Sequence, residues 1–167
     1  MKTLPPPDRF YFDAAVGWAM LGNAREAERE WEHISPLGRR DPDVLELGWS
    51  LYAQAQHWER ALCVAQECIA LAPDRPFGWI HRAYSLRRMS GGGLQLAWDA
   101  LRPAAERFPN ECLIPYNLAC YAAQLNQLET AWDWLQKAMS LGNAQDLTAQ
   151  ALQDPDLAPL RDRLTPG

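Results

Sequence analysis

Alanine recurs at Ala27, Ala61, Ala97 and Ala131, at spacings of 34, 36 and 34 residues. A period near 34 residues marks a stacked array of helix hairpins, in which no unit can bury its apolar face alone and each packs on its neighbours. The recurring residue is small because two helix axes approach closely there, and a bulky side chain would force the hairpin apart. Such an array is an extended scaffold with a concave side, which points to binding rather than to chemistry.

With units starting at Asp8, Pro42, Pro76 and Cys112, the repeats span 8–41, 42–75, 76–111 and 112–142. First helices then carry Tyr11-Ala14-Ala15-Trp18, Leu45-Gly48-Trp49-Tyr52, Trp79-Ala83-Leu86 and Tyr116-Leu118-Ala119. Second helices carry Ala27-Trp31-Ile34, Ala61-Ala65-Cys68, Ala97-Leu101-Ala104 and Ala131-Leu135-Ala138. Spacings of three and four are those of amphipathic helices. Punctuation keeps the register. Asp41-Pro42 and Asp74-Arg75-Pro76 place a capping side chain ahead of a proline at a helix start. Gly22-Asn23, Gln56-His57, Gly91-Gly92-Gly93 and Asn126-Gln127 separate first from second helices, and the glycine run supplies the two extra residues of the third unit. After Gly142 the pattern stops. Ala144 to Leu152 reads as a further helix and Asp154 to Leu160 as a short capped turn, so 143–167 is expected to cover the last apolar face.

Composition and motifs exclude most chemistry. A net charge of −5 gives no counterion-release drive toward nucleic acid. Nothing approaches the roughly 20 apolar residues of a membrane span, and the opening Met1-Lys2-Thr3-Leu4-Pro5-Pro6-Pro7 does not read as a signal peptide. Cys63 and Cys68 stand on different sides of one helix, so free thiols and a cytoplasmic setting are expected. His33, His57 and His81 fall at different repeat positions, and no His or Cys pair has the spacing of a helical metal site. Ser90-Gly91-Gly92-Gly93 is followed by Leu94-Gln95-Leu96 rather than the lysine and hydroxyl of a phosphate loop. There is no nucleophile elbow and no acid–base pair, so neither catalytic residues nor a cofactor nor a metal is expected.

The pattern resembles the tetratricopeptide repeat (TPR) family over residues 8 to about 142. The resemblance rests on Tyr11, Ala15, Trp18, Ala27 and Trp31 in the first unit, and on Leu45, Tyr52, Ala61 and Pro73 in the second. The third adds Trp79, Ala83, Ala97, Leu101, Ala104 and Pro109, the fourth Ala119, Ala131, Leu135 and Ala138. Trp49 departs from it by replacing a small residue, and Ser35 to Arg40 by lacking the closing proline. The family implies an all-α, right-handed α-solenoid of about four antiparallel hairpins plus a C-terminal capping helix, one domain over 1–167, of bacterial type.

It also implies a peptide-binding groove lined by the first helices. Carried across, its residues are Phe12, Val16, Glu46, Ser50, Phe77, Ile80, His81, Tyr84, Arg87, Arg88, Tyr116, Asn117 and Cys120. Asp13, Met20, Leu47, Gln54, Leu113 and Gln124 stand at further lining positions. Arg87, Arg88 and, below about pH 6.5, His81 are expected to give it positive charge. A clamp for terminal carboxylates is not expected, because Phe12, Val16, Leu47, Phe77 and His81 occupy the places of its polar residues. The implied function is a non-enzymatic adaptor, monomeric, with another protein or a peptide segment as partner. Alternatives are a secretion-type chaperone of apolar translocator segments, or a structural protein self-associating through Trp98, Trp132, Trp134 or the tail.

Overall fold

A computed structural model describes residues 4–165, which form α-helices and short 3₁₀ turns with no strand among the described residues. The helices are α1 (Asp8–Met20), α2 (Ala24–His33), α3 (Pro42–Gln54), α4 (Trp58–Leu71), α5 (Pro76–Arg88), α6 (Leu94–Leu101), α7 (Ala104–Arg107), α8 (Leu113–Gln124), α9 (Leu128–Leu141), α10 (Ala144–Gln153) and α11 (Arg161–Leu164). The chain divides into two compact units between Ser85 and Leu86, within α5.

The first unit holds the hairpins α1–α2 and α3–α4 and the start of α5. Each hairpin reverses through a residue in the left-handed region, Gly22 at φ 76° and Gln56 at φ 58°. Asn23 N–H then reaches the Trp18 carbonyl and His57 N–H the Tyr52 carbonyl, the long bond of a Schellman turn. Gln56 accepts that conformation because the bond closes the helix end. Ala15, Ala27, Ala61 and Ala65 are buried where helices meet. Trp31 on α2 fills the space beside α3, its indole N–H donating to the Val44 carbonyl at 2.9 Å. A Cβ at Gly48 would lie 2.6 Å from that ring, so glycine is required at this crossing. The loop from Ser35 to Arg40, which lacks the closing proline, is anchored differently. Buried Asp8 accepts both the backbone N–H and the hydroxyl of Ser35, which hold its carboxyl below the ordinary range. Ser35 in turn accepts the Gly38 N–H.

The second unit holds the end of α5, the segments α6 and α7, the hairpin α8–α9 and the tail. A continuous helix from Ala97 to Ala104 is expected from the repeat, but the helix breaks at Arg102-Pro103, where proline offers no N–H and its ring crowds the preceding turn. Ala97, Leu101 and Ala104 stay buried nonetheless. The turn of α8–α9 again uses a left-handed residue, Asn126 at φ 60°. Asn143 caps α10 and Asp154 caps the 3₁₀ turn Pro155–Leu160, each by accepting backbone N–H groups. Leu147, Ala151, Leu157, Leu160 and Leu164 of this tail are buried. The three tryptophans considered for self-association are half-buried within the unit. Trp98 packs edge-on against Trp134, and Trp132 lies under Arg163, which pairs with Glu129.

Candidate functional site

The expected lining residues divide between the two units. In the first, they are organised by Trp49, the residue that departs from the repeat pattern. Its indole N–H donates to Ser85 Oγ at 3.0 Å, and the Ser85 hydroxyl donates to the His81 carbonyl at 2.8 Å. The ring meets Phe77 and Tyr84 edge-on, at 5.9 and 5.8 Å between centroids, and His81 at 3.9 Å. His81 also stacks on Phe77 at 3.9 Å, and Tyr84 reaches Trp58. Phe77, His81 and Tyr84 are only half-buried, so a fixed aromatic surface faces outward over a buried tryptophan. The indole of Trp49 is thus a floor, which the small residue usual at its position could not provide.

The other first-unit residues play lesser parts. Ile80 is buried and presents little to a ligand. Phe12 packs half-buried on the core, and Val16 is half-buried. Ser50 donates to the Glu46 carbonyl of its own helix at 3.0 Å. Arg75, in sequence only part of a capping turn, pairs with Asp43 at 2.7 Å and Glu46 at 3.0 Å. Burial raises the Glu46 carboxyl above its ordinary range, against the pull of Arg75. A cavity of about 860 Å³ lies elsewhere in the unit, between Leu4, Asp8, Leu37, Arg40, Pro42 and Arg75. Asp8 and Arg75, two of its charged groups, are already paired.

The expectation that His81 carries charge below pH 6.5 is corrected. Burial lowers it from 6.5 to about 4, against the Phe77 carbonyl, which accepts from Nδ1 at 2.9 Å and favours the charged form. The folded chain therefore binds fewer protons here than the unfolded chain. This contribution to stability is complete above pH 6.5 and is lost as pH falls toward 4, amounting to at most about 3 kcal/mol. Urea titrations of the wild type and His81→Phe across that range should diverge, the wild type losing more stability on acidification. Parallel curves would contradict a neutral, buried imidazole.

In the second unit the lining residues meet the chain's own tail. Arg87 forms a two-pronged ion pair with Asp156, Nη2 standing 2.7 Å from Oδ1. Tyr116 donates to Asp154 Oδ2 at 3.1 Å, and the Cys120 thiol lies 3.6 Å from the same oxygen. Gln124 donates to the Asp156 carbonyl at 3.0 Å. Burial pushes the Tyr116 hydroxyl and the Cys120 thiol well up, so both remain protonated donors to Asp154. Arg87 is therefore not the free positive group that the repeat position suggests. Asn117 bonds back to the Leu113 carbonyl at 2.7 Å, and Arg88 is exposed.

Sequence reasoning missed this network because Asp154 and Asp156 lie 32 to 69 residues from their partners and read only as a helix cap. Cys120, Asp154 and Asp156 bring potential metal ligands within 4.8 Å of one another. One of the three, Asp156, is already paired with the Arg87 guanidinium, which supplies the positive charge at this place. Among the described residues no helix is long and apolar enough to cross a membrane.

Comparison with solved structures decides the fold. YrrB, a TPR protein with an unusual peptide-binding site, superposes with a TM-score of 0.70 at 18% identity, over 89% of this chain and 75% of that one. TTC0263, a TPR protein of Thermus thermophilus, gives 0.67 at 17% identity over 94% of both chains. The fold is of the TPR type. MamA from Desulfovibrio magneticus also shares it, with a TM-score of 0.69 at 19% identity over 95% of this chain and 91% of that one. No protein-family model matches the chain, and no curated protein matches it. The TPR-type helical array accounts for the alanine period, since each recurring alanine is fully buried.

Proposed function

We propose that the chain is a non-enzymatic, cytoplasmic protein-interaction module whose first unit takes an extended apolar segment of another protein. The carrying observation is the half-exposed surface of Phe77, His81 and Tyr84, fixed from below by buried Trp49. Aromatic rings held rigidly lose little entropy on binding and bury much apolar area, at roughly 25 cal/mol per Å². With His81 neutral and Arg75 already paired, recognition rests on apolar contact rather than charge. Raising salt from about 0.05 to 0.5 M therefore weakens binding only modestly. The peptide-binding YrrB lends the reading support at the level of fold.

Selection from a displayed library of random linear peptides, followed by calorimetry on the enriched sequences, tests it. Enriched peptides should carry aromatic or branched apolar residues. Phe77→Ala and Tyr84→Ala should each weaken binding roughly tenfold or more, which is about 1.4 kcal/mol. Unchanged affinity in both variants, with helicity retained, would sink the assignment.

A further inference from the structure

In the second unit, residues expected to line a groove hold a short linear segment of the chain itself. Arg87 grips both carboxylate oxygens of Asp156, while Tyr116 and Cys120 converge on Oδ2 of Asp154. The Gln124 side-chain amide donates to the main-chain carbonyl of Asp156, a contact that any residue at that place would make. The segment is a 3₁₀ turn with Pro159 inside it, and proline withholds the N–H that a regular repeat helix would use. Its residues alternate in role. Leu157, Leu160 and, just beyond, Leu164 are buried, whereas Pro155, Ala158 and Pro159 face outward. Covering apolar surface needs only the leucines. The added site, one guanidinium and three neutral donors aimed at two carboxylates and a carbonyl, is complementary to an acidic segment. All of these determinants fall within 154–164, so another chain with the same spacing can make the same contacts.

We propose that this face of the second unit is a docking site for an acidic segment of a partner protein with the pattern Asp-x-Asp-Leu-x-x-Leu, and that the chain's own residues 154–160 are its exchangeable occupant. The Arg87 and Asp156 side chains keep 20% and 23% of their surface exposed, so water reaches the pair. Exchange of one carboxylate for another leaves neither Arg87 nor the three donors without a partner, which avoids the penalty of an unpaired buried charge. Helix α10 stays in place during the exchange through its own buried Leu147 and Ala151. The segment follows α10 directly, so it competes at an effective concentration of roughly millimolar order. The resting chain is therefore closed, and a partner opens it only with a better-fitting segment. Arg163 and Glu129 add an exposed pair at the margin, which the pattern does not require.

Fluorescence anisotropy on the full chain, with a labelled peptide copying residues 153–165, tests it. Asp154→Asn together with Asp156→Asn loosens the chain's own segment and keeps its leucines. That variant should bind the peptide roughly tenfold or more tightly than the wild type, because the competitor in the same chain is weakened. A peptide carrying the same two changes should bind the variant roughly tenfold or more weakly, as should the unchanged peptide once Arg87→Gln is added to the variant. Hydrogen exchange on the wild type needs no substitution. Peptide at about 1 mM should speed exchange of the chain's own Leu157 and Arg161 amides, which are bonded within the segment, while those of α8 stay protected. No binding to the variant, binding indifferent to the peptide's carboxylates, or tail amides unmoved by the peptide would overturn the proposal. The aromatic surface of the first unit is tested separately, by Phe77→Ala and Tyr84→Ala, and stands or falls on its own.

Discussion

Removing residues 143–167 is expected to abolish the cooperative unfolding of the second unit and to produce a species that binds hydrophobic dyes. The tail buries Leu147, Leu157, Leu160 and Leu164, each worth roughly 1.5–3 kcal/mol when fully covered. Their sum is comparable to the whole stability of a typical domain, about 5–15 kcal/mol. The same cut strips Asp154 from Tyr116 and Cys120 and leaves the Arg87 guanidinium without its carboxylate. Asp156→Asn separates the two contributions, since it weakens the ion pair and keeps the leucines. Its cost should be only about 1–2 kcal/mol. A truncated protein that melts like the full chain and binds no dye would show that the tail is an appendage.

Trp31→Ala is expected to cost about 3–5 kcal/mol, because it empties a large buried site at the crossing of α2 and α3. The informative comparison is with Gly48→Ala. In the wild-type background the new methyl group would stand 2.6 Å from the Trp31 ring, and overpacking of this kind costs about 1–3 kcal/mol. With Trp31 already replaced, that clash is gone. Alanine is a better helix former than glycine by about 1 kcal/mol, so the same substitution should then stabilise. Chemical denaturation of the four proteins measures the coupling. Additive effects would mean that glycine is not needed there to admit the ring.

Gly48 and Trp31 also show what a linear reading misses. Each is visible in the repeat pattern, but nothing local says that one makes room for the other. Trp49 is a sharper case. By pattern it is a departure at a small-residue position, whereas in the fold it is the floor under Phe77, His81 and Tyr84. The signal that could have found it was the departure itself, a large aromatic where close helix approach calls for a small side chain. Pro103 carries the local signal for the break between Leu101 and Ala104, which the repeat frame alone would run as one helix. The charge expected of His81 fails because the ring is buried, and that burial depends on Trp49 and Phe77 closing over it, which no local pattern states.

Sequence alone determined the helix hairpins, their turn positions and the TPR-type fold. Those features repeat at a fixed period and rest on neighbours three, four or about 34 residues away, so residue type and spacing encode them directly. Tertiary structure alone decided which lining residues stay open. Arg87, Tyr116 and Cys120 are engaged by a tail segment whose carboxylates lie up to 69 residues away, while Phe77 and Tyr84 keep an edge to solvent. Exposure and pairing belong to the folded surface, and a periodic pattern assigns the same role to every copy of a position until packing makes the copies different.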